Sequence, residues 1–230
     1  MRKLGLIGGT GPESTVPYYR GIVFAVQRET GNFPPLTIES VSVFDVLRLC
    51  GAGEYEKLTG YLLEAVRNLA GAGAEVAALT GNTPHIVFDR LQALSPIPLV
   101  SMVEATCRET VRRGLDRVGL LGTIFTMEEE FFWVPFREQG IQVAVPTRAE
   151  REYLNRVIAD ELELGTVREE SRARVLAMVE RMAREDGIQA VILGCTELPM
   201  LLSDRNSPVP CLDTMEIHIN TLVGEILREN

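Results

Sequence analysis

Residues 190–199 read AVILGCTELP: an apolar run, a glycine, then a thiol, a hydroxyl and a carboxylate in succession. A short apolar run bounded by glycine suits a strand covered on both faces. The triplet Cys195, Thr196 and Glu197 then falls at the carboxyl end of that strand. Residues 76–85, VAALTGNTPH, repeat the pattern in the first half, and there Gly81 stands where a second thiol would complete a symmetric acid/base pair.

Working outward, the same short apolar runs recur along the chain. They predict strands over Lys3–Gly8, Leu36–Val43, Glu75–Thr80, Pro98–Ser101, Arg117–Gly122, Gln142–Val145, Gln189–Gly194 and Val209–Leu212. Amphipathic stretches lie between them. Tyr55–Ala70 sets Leu58, Leu62, Leu63, Val66 and Leu69 at helical spacing, and Arg168–Arg184 does so with Val175, Met178, Val179 and Met182. Thr126 with Glu129, Thr147 with Glu150, and Thr166 with Glu169 read as capping boxes. Strands alternating with helices predict an α/β fold with parallel sheets. LGLIGGTG opens one half and VGLLGTIFT the other, so two similar halves of four strands are expected. The last helix, about Thr214–Leu227, is expected to return to the first half. The domains then divide as 1–100 plus 208–230, and 101–207.

The chain has 230 residues and a net charge of −9, which argues against nucleic acid and anionic membrane as partners. No apolar run is long enough to span a bilayer. The first apolar run is short and ends in glycines, as a first strand does and a secretory signal does not. A cytoplasmic protein is expected. The four cysteines form no CxxC pair, and the two histidines, His85 and His218, are far apart, so no metal site is expected. Cys50, Cys107 and Cys211 read as small core residues, and His218 as a packing histidine.

Ligands in such folds bind beyond the carboxyl ends of strands. GGTGPEST (8–15) places Gly8, Gly9 and Gly11 there, with Pro12 at a helix start. Its backbone N–H groups could receive a carboxylate, and a tight strand-to-helix turn explains it equally well. Asn82 and Thr83 could grip a carboxylate or simply cap a helix, and Thr126 has the same two readings. Cys195 carries the strongest signal. A thiol next to a helix N-terminus is expected to have a lowered pKa and to act as base or nucleophile.

Together GGTGPEST, GNTPH, LLGTIFTME, GCTELP and CLDTMEIH, in this order over essentially the whole chain, resemble the aspartate/glutamate racemase family. The resemblance implies two Rossmann-like domains related by a pseudo-twofold axis, with the active site in the interdomain cleft. It implies a homodimer, a small-molecule amino acid or dicarboxylate as ligand, and no cofactor, pyridoxal phosphate included. It also implies a mechanism: one thiolate removes the α-proton from one face of the substrate and a second thiol returns one to the other. Hydrogen bonds to the α-carboxylate stabilise the carbanion. Carried over by position, Cys195 is the catalytic thiol. Thr10, Asn82, Thr83, Thr126 and Thr196 are substrate-binding residues, and Arg48 is a candidate for a distal carboxylate.

Gly81 departs from the family pattern. Thr80, one residue earlier, is the candidate second acid/base, although alternation along a strand points its side chain the other way. Three readings follow. The chain is a racemase, slow or one-sided; or a single-cysteine decarboxylase or isomerase, as arylmalonate decarboxylase resembles this arrangement; or a binding protein for an amino acid or dicarboxylate.

Overall fold

The eight strands form where eight short apolar runs appear; the central strands of each sheet, Leu4–Gly8, Val76–Leu79, Arg117–Gly122 and Ala190–Gly194, are buried almost throughout, while the outer strands are partly exposed. The computed structural model describes residues 1–10 and 12–228. The chain divides into two units, Met1–Ala105 with Met215–Asn230, and Thr106–Thr214.

In the first unit the order is β1 (Leu4–Gly8), α1 (Pro12–Thr30), β2 (Leu36–Ser40), α2 (Val43–Gly51), α3 (Tyr55–Gly71), β3 (Val76–Leu79), a 3-10 turn (Thr83–Val87), α4 (Phe88–Leu94) and β4 (Leu99–Val100). The sheet order is β2-β1-β3-β4, all parallel, with Leu4 opposite Leu36 and Val76. β2 ends earlier than its apolar pattern suggests. The Ser42 side chain accepts from the Asp45 N–H at 3.4 Å and starts α2 at Val43.

α5 (Met102–Arg112) leads into the second unit. There follow β5 (Arg117–Gly122), α6 (Ile124–Glu128), α7 (Glu130–Glu138), β6 (Gln142–Ala144), α8 (Arg148–Asp160), α9 (Glu169–Arg181), β7 (Ala190–Gly194) and β8 (Cys211–Asp213). Its sheet runs β6-β5-β7-β8, again all parallel. The order matches that of the first sheet, as the internal repeat requires. The expected domain boundary at 208 is corrected here: β8 bonds to β7, and the chain leaves the second unit only at Met215.

Helix starts follow local polar chemistry. Thr147 and Glu150 form the expected reciprocal capping box. Thr126 does not cap; Thr123 takes that position and accepts from the Thr126 N–H at 3.3 Å. Thr166 does not cap α9 either. Its N–H is tied to Glu161 O at 2.9 Å, in a turn that Gly165 closes with a left-handed φ, so α9 starts at Glu169. α9 ends at Arg181 and runs into a π turn at Met182–Asp186. Among the described residues no helix is long and apolar enough to cross a membrane.

α10 (Thr214–Leu227) packs Ile219, Leu222, Val223 and Ile226 into the core of the first unit, against Leu6, Tyr18 and Ile22. Arg2 bonds the helix twice, from its backbone to Ile226 O and from its side chain to Glu225. His218 is fully buried in this core. Its Nε2 donates to Val100 O at 3.1 Å, and its Nδ1 accepts from the Tyr18 hydroxyl at 2.8 Å. Both ring nitrogens are thereby satisfied, and the residue is structural. Tyr18→Phe leaves the buried Nδ1 without its donor. It should cost about 1–3 kcal/mol, read as a lower urea midpoint at unchanged m-value.

Candidate active site

The polar triplet after β7 folds onto itself. Glu197 Oε2 accepts from Cys195 Sγ at 2.8 Å and from Thr196 Oγ1 at 2.9 Å. All three residues are buried. Cys195 belongs to the main apolar cluster of its unit, with Leu193, Leu198 and Leu201. The thiol's pKa is pushed well above the usual range, first by burial and then by the Glu197 charge beside it. The expected lowering by a helix N-terminus is corrected: only a three-residue 3-10 turn, Leu198–Met200, follows. Desolvation and an adjacent carboxylate outweigh so short a dipole. At neutral pH Cys195 is a protonated thiol.

Glu163, in the 3-10 turn Leu162–Leu164, joins this cluster electrostatically. Burial raises its pKa, and the Glu197 charge raises it further. Nothing in the local sequence marks Glu163, because its approach depends on a fold of the chain beyond α8.

Thr126 is fully buried, and its Oγ1 lies 3.2 Å from Thr123 Oγ1. Gly194 makes room for it. A β-carbon there would stand 3.0 Å from Thr126 Cγ2 and 2.8 Å from Leu121 O. Thr123, whose place after the β5 glycine puts it with Thr126 at a strand end, stands at the helix start next to this contact.

In the first unit the groups after β1 and β3 meet. Thr80 is fully buried, and its hydroxyl donates to Ile7 O at 3.1 Å. Its single proton is thus engaged, and the 3.2 Å contact with Thr10 Oγ1 is a bond in which Thr10 donates. Ser14 Oγ donates to Thr80 O at 2.6 Å. Gly81 faces Thr10: a β-carbon at 81 would lie 3.0 Å from Thr10 Oγ1 and 3.2 Å from Thr10 Cβ. Thr10 therefore fills the space that a side chain at 81 would need. Gly11 lies outside the described residues.

Asn82 and Thr83 follow, both buried. Asn82 stands at the start of the 3-10 turn but makes no side-chain cap hydrogen bond. His85 braces this loop. Its Nδ1 donates to Gly81 O at 2.9 Å and its Nε2 accepts from the Met102 N–H at 3.1 Å. Burial lowers its pKa to about 4, so the ring is neutral at physiological pH. Arg48 sits exposed in the last turn of α2 and pairs with Asp45 at 3.1 Å. Of the other cysteines, Cys50 and Cys107 are buried and Cys211 is half-buried. No cluster of three or more His, Cys, Asp or Glu among the described residues is arranged to hold a metal ion.

The family model for Asp/Glu/Hydantoin racemases matches residues 7–222. Over 217 residues the chain is 23% identical to RacX, a broad specificity amino-acid racemase of Bacillus subtilis (strain 168), with 92% of each chain covered. It is similar to a solved structure from Yersinia pestis provisionally described as an Asp/Glu racemase, at 35% identity and a TM-score of 0.91, over 99% of this chain and 100% of that one. It is also similar to an aspartate racemase homologue from Pyrococcus horikoshii OT3, at 36% identity and a TM-score of 0.85, with the same coverage.

Glu197→Gln removes the charge that helps hold the Cys195 proton. The pH at which Cys195 is half-alkylated, followed by mass spectrometry of its peptide, should fall; an unchanged midpoint would show that burial alone sets the thiol's pKa. In the first unit, Gly81→Cys and Thr10→Gly should not be additive. A double-mutant cycle of urea stabilities should give a favourable coupling of about 0.5–3 kcal/mol, as removal of the threonine side chain relieves the crowded cysteine.

Proposed function

This chain belongs to the Asp/Glu/Hydantoin racemase family, and on that premise we propose that it is an amino-acid racemase acting on aspartate, glutamate or a related amino acid. The observation that carries the reading is the 2.8 Å contact of Cys195 Sγ with Glu197 at the end of β7. A thiol held protonated can deliver a proton to a carbanion. For the reverse step its proton passes to Glu197, and the resulting thiolate takes the substrate α-proton. Atoms and charge balance: the α-proton ends on sulfur, and the thiol's former proton rests on the carboxylate until it returns.

Substrate binding and this transfer are coupled in the proposed mechanism. Thr196 gives its hydroxyl proton to the same Glu197 oxygen that accepts from the thiol. A substrate carboxylate that takes the Thr196 proton leaves Glu197 Oε2 with one donor fewer and a stronger pull on the thiol proton. Thr126 supplies a second hydroxyl for a carboxylate; it is a buried polar residue that does not cap its helix. Asn82 and Thr83 carry the same proposed role in the first unit. Thr10, which stands against Gly81, and Thr80 are the hydroxyls we assign to the place of the missing thiol, and each must release a held proton to serve, Thr10 from Thr80 Oγ1 and Thr80 from Ile7 O. Arg48 remains assigned to a distal carboxylate, for which it must leave Asp45; breaking so exposed a pair costs less than about 1 kcal/mol.

A second reading has its own observation. Gly81 offers no side chain and the adjacent hydroxyls have pKa values far above that of a thiol, so proton abstraction from the second face is slow. The chain then works on one face, as a single-thiol enzyme does.

Incubation of both enantiomers of aspartate and glutamate in D2O, followed by NMR and chiral chromatography, tests both readings. Racemisation with α-deuteration, lost in Cys195→Ala by at least about a hundredfold, is the expected result. Exchange with retained chirality would establish the one-face reading. Undiminished exchange in Cys195→Ala would remove Cys195 from the mechanism.

A further inference from the structure

His85 touches the candidate site loop of the first unit but has no part in the proposed chemistry. It is 2% exposed, and both ring nitrogens are committed. Nε2 accepts from the Met102 N–H at 3.1 Å. Met102 opens α5, the helix along which the chain passes into the second unit. Ser101 Oγ accepts from the Glu104 N–H at 3.2 Å at the same helix start. Burial lowers the pKa of His85 to about 4, so the ring is neutral; the positive end of α5 acts in the same direction. An N–H can only donate, so Nε2 carries no proton and Nδ1 carries it. Phe88 stacks on the ring at 5.2 Å between centroids, with 6° between the planes, and holds it flat.

The Nδ1 proton goes to Gly81 O at 2.9 Å. The backbone N–H of His85 goes to the next carbonyl, Asn82 O, also at 2.9 Å. One residue thus holds two successive carbonyls on its own side. Among the described residues no peptide bond is cis. In a trans peptide the N–H points opposite to the C=O. The N–H groups of Asn82 and Thr83 are therefore turned away from His85. Asn82 has helical dihedrals, φ −72° and ψ −49°, which keep the two peptide planes nearly parallel. Pro84 fixes the next φ and has no N–H to add. Two successive N–H groups aimed the same way suit a carboxylate, the group already assigned to Asn82 and Thr83.

We propose that His85 is a positioning residue: through its bond to Gly81 O it sets the direction in which Asn82 and Thr83 present their N–H groups to a substrate carboxylate. The ring itself does not touch the substrate. The start of α5 fixes the tautomer, the tautomer fixes the donor, and the donor fixes the peptide plane. Without that bond the Gly81–Asn82 peptide is free to turn over. It would then offer an oxygen where the carboxylate needs a hydrogen. This role rests on the assignment of Asn82 and Thr83 to carboxylate binding.

Asparagine and glutamine separate the two ring nitrogens. In His85→Asn the amide nitrogen stands near the place of Nδ1 and still donates to Gly81 O. In His85→Gln the longer side chain brings its oxygen near the place of Nε2, where it accepts from Met102 and leaves Gly81 O unheld. Each variant loses one bond and the stacking on Phe88, so both should show lower urea midpoints. The Asn82 and Thr83 amide resonances of the full chain are followed in ¹H–¹⁵N spectra, in a Cys195→Ala background, as L-alanine, L-aspartate or L-glutamate is added. With His85 in place, both resonances should move downfield and saturate with at least one of the three. His85→Asn should bind that amino acid within about threefold of the parent, and His85→Gln at least about tenfold more weakly. Equal weakening in the two variants, or weakening that follows their loss of stability, would reduce His85 to a packing residue and overturn the proposal. Resonances unmoved by all three would overturn it as well, by removing Asn82 and Thr83 from the site. Neither result bears on Cys195, whose role the exchange experiment decides separately.

Discussion

The contact between Cys195 and Glu197 sets the state of the thiol at the end of β7. A thiol at the end of a buried strand has lost its water, and a carboxylate 2.8 Å away opposes the thiolate charge. Both effects keep the proton on sulfur. In the proposed mechanism the same carboxylate receives that proton when the thiol acts as base. Because Glu197 also accepts from Thr196, the triplet behaves as a unit in which moving one proton shifts the others.

The first unit resolves the same position differently. Its strand end carries hydroxyls and a bare glycine. Thr80 turns its proton back to Ile7, Thr10 fills the space beside Gly81, and His85 ties the Gly81 carbonyl in place. The backbone at this point is braced from both sides, by a neutral imidazole and by the Ser14 hydroxyl. That bracing is what a precisely oriented loop needs, whatever side chain it presents. Two sheets with the same strand order thus carry unequal chemistry, since a fold prescribes where a site can be and not what it contains.

Central strands buried on both faces also explain where the site groups lie: the interior of each sheet is closed to polar side chains, so these collect at strand ends and in the short helices that follow. α6 is the clearest case. Its one turn presents Thr126 toward the β5 and β7 ends, where Gly122 and Gly194 make room, and buries Met127 in the core of the unit.

The strands, their alternation with helices, and the repeat were legible in the amino-acid sequence, because burial on both faces leaves a run such as AVILG that no exposed segment would tolerate. So was the cluster after each third strand. The span Thr214–Leu227 was legible too, from its apolar period and its position after a short strand. Capping was read less well: Thr126 and Thr166 fit the capping pattern, yet Thr123 caps the one helix, and a bond to Glu161 O holds the other residue in an earlier turn. Hydrogen bonds a few residues away decide such cases, and the local pattern does not contain them. What only the tertiary structure decided is how each polar group is satisfied. Burial of Cys195 reverses the pKa shift that its neighbours in sequence suggest, Glu163 arrives from another turn, and Thr10 meets Gly81 from 71 residues away. Hydrophobic pattern is a property of neighbours along the chain; solvation, charge and steric fit are properties of neighbours in space.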